Sequence, residues 1–446
     1  MAAITSAGIG SGLDVSSIVS QLVAAERSGP DQRIMIAQTR AKTTISAMSN
    51  FRSLIASFQT AAKGLLAGSG GTPSALAKLA ATSGDDKSFT AAAGNKAVAG
   101  NYAVEVVSLA TASKQSSAVY ANSSAVLGNG DVTLTTGGKS FTVTLADGAN
   151  TLADLRDKIN AASTNTGVGA TIVNDEVGGG VRLVLSSRDT GTANAVSLSS
   201  TLLTTTESQP ATDAVVKVDG YTTTSSSNAV TTAVDGLTLN LVKAEPGKTN
   251  TLTVGLDAKA SEQAVATFVN AYNNVVKFIN TQTKYDAAAD TAGVLLGDAA
   301  VRSATQAIRG VIGGSNDDAG TYKTLSALGI TTSSDGTLVS DPAKFTKALN
   351  TDFASVQRLF SGENGLATRL DAVAKQLLGD DGQIKARTDG LNARMKDLDK
   401  QSQALDTRIA AFEARTRAQF TALDSLMAKL GTTSTYLSQQ LSNLSF

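Results

Sequence analysis

Apolar residues return every seven positions at both ends of this 446-residue chain and at every second position through its middle. From Leu391 one row holds Leu391, Leu398, Leu405 and Phe412, and a second holds Met395, Ile409, Leu423, Leu430, Leu437 and Leu444. Steps of four and three make a heptad seam, which is buried only against another helix. Near the N-terminus Ile34, Ala41, Met48 and Ile55 form one row, and Phe51, Phe58 and Leu65 another. The two ends are therefore expected to pair around a central insert, as a rod carrying a head. Spacing leaves open whether the pairing lies within one chain or between chains. The expected helices run over 31–66 and from about 388 to 430, roughly 50 and 60 Å at 1.5 Å per residue. A shorter helix capped by Asp14 precedes them and is expected to break at Ser28-Gly29-Pro30. Ser402, Thr416 and Gln419 fall on core positions of the seam. Burying polar groups there costs stability, which fits either a tolerant bundle or a seam kept marginal so that it repacks on assembly.

The period changes to two after Ser88. Strands are expected at Phe89–Ala91, Tyr102–Val107, Val132–Leu134, Phe141–Leu145, Ala170–Val173, Val181–Leu185, Ala214–Val218, Leu237–Val242 and Thr251–Val254, with a short helix at Leu152–Ala162. Helical spacing returns over Ser261–Thr283, Ala299–Val311 and Pro342–Asn350. The fold class is thus α+β and multidomain: a helical stalk with a β-rich head inserted between its two halves. The expected domains are terminal segments 1–40 and 430–446, poorly ordered alone, and a helical leg of 41–80 with 258–429. The head comprises one subdomain of 81–118 with 209–257 and a second, 119–208, inserted into it.

Composition narrows the chemistry. The chain has no Cys and no His, which removes the commonest metal ligands, the usual general base and every thiol nucleophile. Lys and Arg number 38 against 38 Asp and Glu, with no basic cluster to follow a phosphate backbone, so nucleic acid is a poor partner. No apolar run is long enough to cross a membrane, and MAAITSAGIGSGLDVSSIVSQLV lacks the basic start of a cleaved secretory signal. Gly8-Ile9-Gly10-Ser11-Gly12 has neither the preceding strand nor the lysine of a nucleotide-binding turn. Asp317-Asp318 and Asp380-Asp381 read as solvated loops. Neither a catalytic residue, a cofactor nor a metal is expected.

Three stretches together resemble the bacterial flagellar filament cap protein family (hook-associated protein 2). Gly8, Gly10, Gly12, Leu13 and Asp14, followed by Val15, Ile18-Val19 and Leu22-Val23, look like the opening signature of cap proteins. Thr151-Leu152-Ala153-Asp154-Leu155, with Thr166-Gly167-Val168 and Arg182-Leu183-Val184-Leu185, is similar to the insert motif shared by flagellins and hook-associated proteins. Val216-Lys217-Val218-Asp219-Gly220 and Val234-Asp235-Gly236-Leu237 resemble the hallmark that starts the family's C-terminal half. Both Asp-Gly pairs also suit turns that need positive φ, as in type I′ hairpins.

The resemblance implies a homo-oligomeric ring, a pentamer best matching a tubular filament, at the distal tip of an extracellular flagellum. It implies flagellin and hook–filament junction proteins as partners. Delivery would be by the flagellar export apparatus with a dedicated export chaperone, without signal-peptide cleavage. The ring would promote folding and insertion of exported flagellin and prevent its loss. The residues expected to form the seam or the oligomer contacts are Ile34, Met48, Phe51, Ile55, Phe58, Leu391, Met395, Leu398, Leu405, Ile409, Phe412, Leu423 and Leu430. The alternatives are another flagellar axial protein at the hook–filament junction, or a surface adhesin that binds host or surface glycans through head loops Ala121–Gly130 and Thr222–Asn228. Aromatic platforms near those loops are few, only Tyr120 and Tyr221.

Overall fold

The structure, a computed structural model, describes residues 14–66 and 73–444. Gly8, Gly10, Gly12 and Leu13 of the opening signature lie outside the described residues, as does the side chain of Leu444. In chain order the elements begin with α1 (Val15–Gly64), β1 (Leu79–Ser83), β2 (Phe89–Ala93), β3 (Gly100–Ser108), β4 (Lys114–Ser117), β5 (Gly130–Thr136), β6 (Lys139–Leu145) and α2 (Leu152–Ala161). Next come β7 (Val168–Asp175), β8 (Gly180–Ser187), β9 (Ser197–Ser200), β10 (Thr205–Gln209), β11 (Ala214–Val218), β12 (Tyr221–Ser225), β13 (Ala229–Val230), β14 (Leu237–Leu241) and β15 (Thr249–Leu256). The remainder is α3 (Ala258–Thr283), β16 (Tyr285–Asp286), β17 (Thr291–Ala292), α4 (Ala299–Ile312), β18 (Ile330–Thr332), β19 (Leu338–Ser340), α5 (Pro342–Thr351), α6 (Phe353–Ser361), α7 (Leu366–Leu378) and α8 (Gln383–Leu444).

Two compact units result: Met1–Leu66 with Glu262–Phe446, and Ala67–Ser261. The first is the helical unit. Asp14 caps α1 as its sequence position suggests, its Oδ1 accepting from the Ser17 N–H at 3.0 Å. The expected break at Ser28-Gly29-Pro30 does not occur, because α1 runs unbroken from Val15 to Gly64 with Pro30 inside it. A proline in a helix interior removes one ladder bond and crowds the preceding turn, at a cost of about 3 kcal/mol. Contacts with α8 on both sides of the proline hold the helix together there. The lower half of α1 and its C-cap form the core of the unit: Met48, Phe51, Ile55 and Phe58, with Leu65 at the cap, are each at most 1% exposed. Phe51 stacks on Phe278 with ring centroids 6.1 Å apart, while Phe58 meets Phe268 at 5.5 Å and Tyr272 at 5.9 Å. Here, then, α1 packs against α3, and not against the C-terminal helix alone.

The second unit is β-rich and has two cores. In the first, the sheet β1-β15-β3-β11-β12 and the sheet β13-β14-β2 enclose Phe89, Val104, Val216, Leu239 and Leu252. In the second, the sheets β10-β4-β8-β7 and β6-β5-β9, with α2, enclose Val132, Leu134, Leu155, Ile159 and Leu183. Alternate residues of β5, β6 and β11 are buried, the period-two signature of strands with one wet face. The chain passes between the two cores where Thr111 and Thr212 exchange backbone hydrogen bonds at 3.0 and 3.3 Å. Thr222–Asn228 is not the expected loop. Thr222–Ser225 belongs to edge strand β12, whose threonines are β-branched and suit an extended chain.

Candidate assembly surfaces

The heptad residues fall into three groups along the helical unit. Leu391, Leu398, Leu405 and Ile409 of α8 are buried at 8%, 2%, 6% and 5% exposure. Met395, Phe412 and Ile34 are half-buried. Leu423, Leu430 and Leu437 are instead 45%, 56% and 54% exposed, so the same spacing that makes a core seam in mid-helix makes an open apolar row at its end. Leu426, Met427, Tyr436 and Leu441 extend that open surface. Leu426 continues the row of Leu391, and Met427 and Leu441 lie four residues beyond Leu423 and Leu437, a spacing that could have flagged these three in the sequence. Of the polar seam positions, Thr416 is buried, Ser402 half-buried and Gln419 exposed.

The pairing of α1 with α8 is intrachain and antiparallel. Gln38 Nε2 donates to Asp399 Oδ1 at 2.9 Å, Arg27 Nη2 to Asp406 Oδ1 at 2.7 Å, and Arg408 Nη2 to Glu26 Oε1 at 3.3 Å. The register explains the change along α8. By this register Val15, the first residue of α1, lies level with about Gln419, so the turns of α8 beyond that have no described part of α1 beside them. Lower down, Asp371 of α7 ties the helices together. It accepts from Gln59 Nε2 at 2.7 Å and pairs with Lys375 Nζ at 2.7 Å and Lys63 Nζ at 3.5 Å. Burial pushes this carboxyl up, but the hydrogen bonds from Lys375 and Gln59, with the two lysine charges, bring it below the ordinary value. Sequence spacing gave no sign of this cluster, because its members lie on two helices far apart in the chain.

The two Asp-Gly turns differ. Asp219 and Gly220 both have positive φ, 49° and 86°, and join β11 to β12 with Val218 opposite Tyr221, a two-residue hairpin of the type I′ kind. The Asp219 carboxylate also accepts from the Ala103 N–H at 2.8 Å, tying the turn to β3. At the second turn only Gly236 has positive φ, 77°, so the type I′ expectation fails for Asp235. What requires glycine here is close approach: a Cβ on Gly236 would sit 2.3 Å from the Ala97 nitrogen. In the insert, Thr151 and Asp154 form a reciprocal capping box on α2. Asn160 both donates to the Ala170 carbonyl and accepts from its N–H, at 2.8 and 3.0 Å.

Among the described residues no group of three or more His, Cys, Asp or Glu is placed to hold a metal ion, and no helix is long and apolar enough to cross a membrane. Two terminal helices paired within one helical unit, a β-rich unit between them in sequence, and an open heptad row at the C-terminal end of α8 define the class of the fold: a two-unit α+β chain whose own ends close its helical unit. Comparison with known proteins gives its family. The profile of the flagellar hook-associated protein 2 N-terminus matches residues 11–113, that of its C-terminus residues 211–432, and the flagellin hook IN motif residues 131–189. The B-type flagellar hook-associated protein 2 of Pseudomonas aeruginosa is 33% identical over 474 aligned positions, covering 99% of this chain and 98% of that protein. The flagellar hook-associated protein 2 of Escherichia coli K12 is 33% identical over 485, covering 99% of each. The crystal structure of the D1-D2-D3 domains of the flagellar cap protein FliD from Escherichia coli matches with a TM-score of 0.59 and 29% identity, over 78% of this chain and 99% of that one. The chain belongs to the flagellar hook-associated protein 2 family.

Proposed function

We propose that this protein caps the distal end of the bacterial flagellar filament as a ring of several copies, and that the ring promotes folding and insertion of exported flagellin. The observation that carries the reading is full-length similarity to flagellar hook-associated protein 2 of Escherichia coli, joined to structural likeness with a flagellar cap protein. The open row of Leu423, Met427, Leu430, Leu437 and Leu441 fits it. An amphipathic helix of this kind is stable when its apolar face meets another helix, and an axial filament built of helices offers many. Segments 1–40 and 430–446 are the legs in this reading, engaging flagellin or the junction proteins below. Burial of flagellin's own apolar surface drives each insertion, with no nucleotide needed. Copy number in the ring is taken as five, to match a tubular filament. The export apparatus and a dedicated chaperone deliver the chain uncleaved.

The test is a gene-deletion strain scored for motility, filament length and flagellin in the medium. Short or absent filaments with unpolymerised flagellin outside the cell are expected. Filaments of normal length with lost surface attachment would replace this reading with adhesion through the β-rich unit.

A further inference from the structure

Helix α4 turns Arg302 and Arg309 to solvent, where both line a cavity of about 360 Å³ with Gln306, Asn280 and Thr283. Among the described residues neither guanidinium forms an ion pair, and Arg309 lies beside the Tyr272 hydroxyl. Asp298 stands in the cavity wall, but its carboxylate is taken up by Arg387 at 2.7 Å and by the N–H groups of Ala300 and Val301. The cavity is thus a basic opening whose two guanidiniums face no free carboxylate of their own chain.

The complement lies on the other flank of the same helical unit. Between α7 and α8 the turn Gly379–Gly382 exposes Asp380 and Asp381. Asp381 has no partner among the described residues. The charge of Asp380 reaches Lys385, whose Nζ is already bonded to Asp389 at 2.7 Å. Lys385 and Arg387 are two residues apart on α8, about 200° round the helix. Arg387 faces α4 through Asp298, so Lys385 and the acidic turn beside it lie on the opposite flank. The two patches also share one height. The Arg387–Asp298 pair sets the start of α4 level with that turn of α8, and Gly314, just past the end of α4, lies against Arg369 of α7. Helix α4 therefore runs back past the start of α8. Arg302 and Arg309 lie about 6 and 16 Å along it from Asp298, and Asp381 lies about 9 Å back from Arg387.

We propose that the Asp380-Asp381 turn of one copy seats against the Arg302–Arg309 cavity of the next, as the contact that links helical units round the ring. The inference rests on the ring reading above and gives that ring a self-recognising surface. Two different patches on opposite flanks make a heterologous contact, which repeats from copy to copy and closes when the rotation allows. Copies related by rotation about an axis along the helix pair have no axial offset, so only patches at one height can meet, and these two do. A contact made of charges fixes orientation and partner choice more than raw affinity, and it weakens in salt. A copy turned the wrong way would set two acidic turns or two basic cavities against each other.

Asp380→Lys with Asp381→Lys, and separately Arg302→Glu with Arg309→Glu, each set like charges across the contact. A loss of self-association of about tenfold or more is expected for each pair by sedimentation velocity. All four changes in one chain put opposite signs together again and are expected to restore association. The four side chains are exposed, so the helical melt of every variant should match the parent. The chain has no cysteine, so Gln306→Cys and Gln383→Cys, both exposed and both outside the charged set, allow a short bismaleimide link. A cross-linked dimer is expected only when the two variants are mixed, and a ladder of products when both changes share one chain. Cross-linking of either variant alone, none in the mixture while the parent assembles, or association unmoved by the reversals or not restored by all four would overturn the contact and leave the ring. A parent chain that stays single at every concentration would overturn the ring and the contact together.

Discussion

Asp371 is the residue on which the helical unit's polar contacts converge, since one carboxylate takes bonds from α1 and from its own helix. Replacing it with asparagine keeps the shape but leaves two ammonium groups without their counter-charge. Hydrogen bonds to charged groups are worth about 1.5–3 kcal/mol, so Asp371→Asn is expected to lower the stability of the helical unit by about 2 kcal/mol, read from urea unfolding of the helical signal. The folded carboxyl titrates below its ordinary value of 3.8. Its contribution is therefore fully present above that value and is lost as pH falls through the lower folded one. The variant should lose stability less steeply below pH 3.8 than the parent. An identical acid limb in both proteins would remove Asp371 from the account. Asp219 is a second residue with two duties, since its positive φ makes the hairpin while its carboxylate fastens β3.

At the scale of elements, the seam is the feature to break. Leu398 and Leu405 are 2% and 6% exposed on α8, facing the stretch of α1 between Val19 and Ala41, where no residue is buried. Replacing both with Asp puts two charges into that face, and loss of helical signal and a lower melting temperature are expected by circular dichroism. An unchanged melt would mean that α8 does not depend on α1 here. The seam, its two ends and most strands were legible because their periods are strong and repeat over several turns. Strand β11 was expected over Ala214–Val218 and lies there, and α4 runs one residue beyond its expected end. What stayed illegible has physical causes. The α6 and α7 helices are short and sit among Gly362, Gly365 and Gly379, so no long period announces them. Strands β4, β9 and β10 are built of Ser, Thr, Gln, Glu, Lys and a single Leu, without apolar alternation. The start of α8 at Gln383 was legible but missed: buried Ile384 lies seven residues before Leu391, on the same row. Pro30 was read by propensity as a stop, and contact with α8 overrode it.

For the whole molecule, the open end of α8 separates folding from assembly. Leu430, Leu437 and Leu441 are already more than half exposed, so among the described residues deleting 430–446 removes almost no buried surface. Thermal unfolding of the truncated chain should stay within about 0.5 kcal/mol of the parent, while filament growth in the cell is lost. Normal filaments from the truncated gene would take the leg role away from that segment. The long reach of the helix pair carries one more consequence. Arg27 and Asp406 are 379 positions apart, and Gln38 and Asp399 are 361. Contacts so distant in sequence must first meet the entropy of closing a long loop, which slows their formation. A polypeptide delivered with its first residue leading can complete the β-rich unit once residue 261 has emerged, but α1 has no α8 to close on until the last 62-residue helix follows. The helical unit thus closes only after α8 has emerged as far as its contacts with α1 at Asp399, Asp406 and Arg408, long after the β-rich unit is complete.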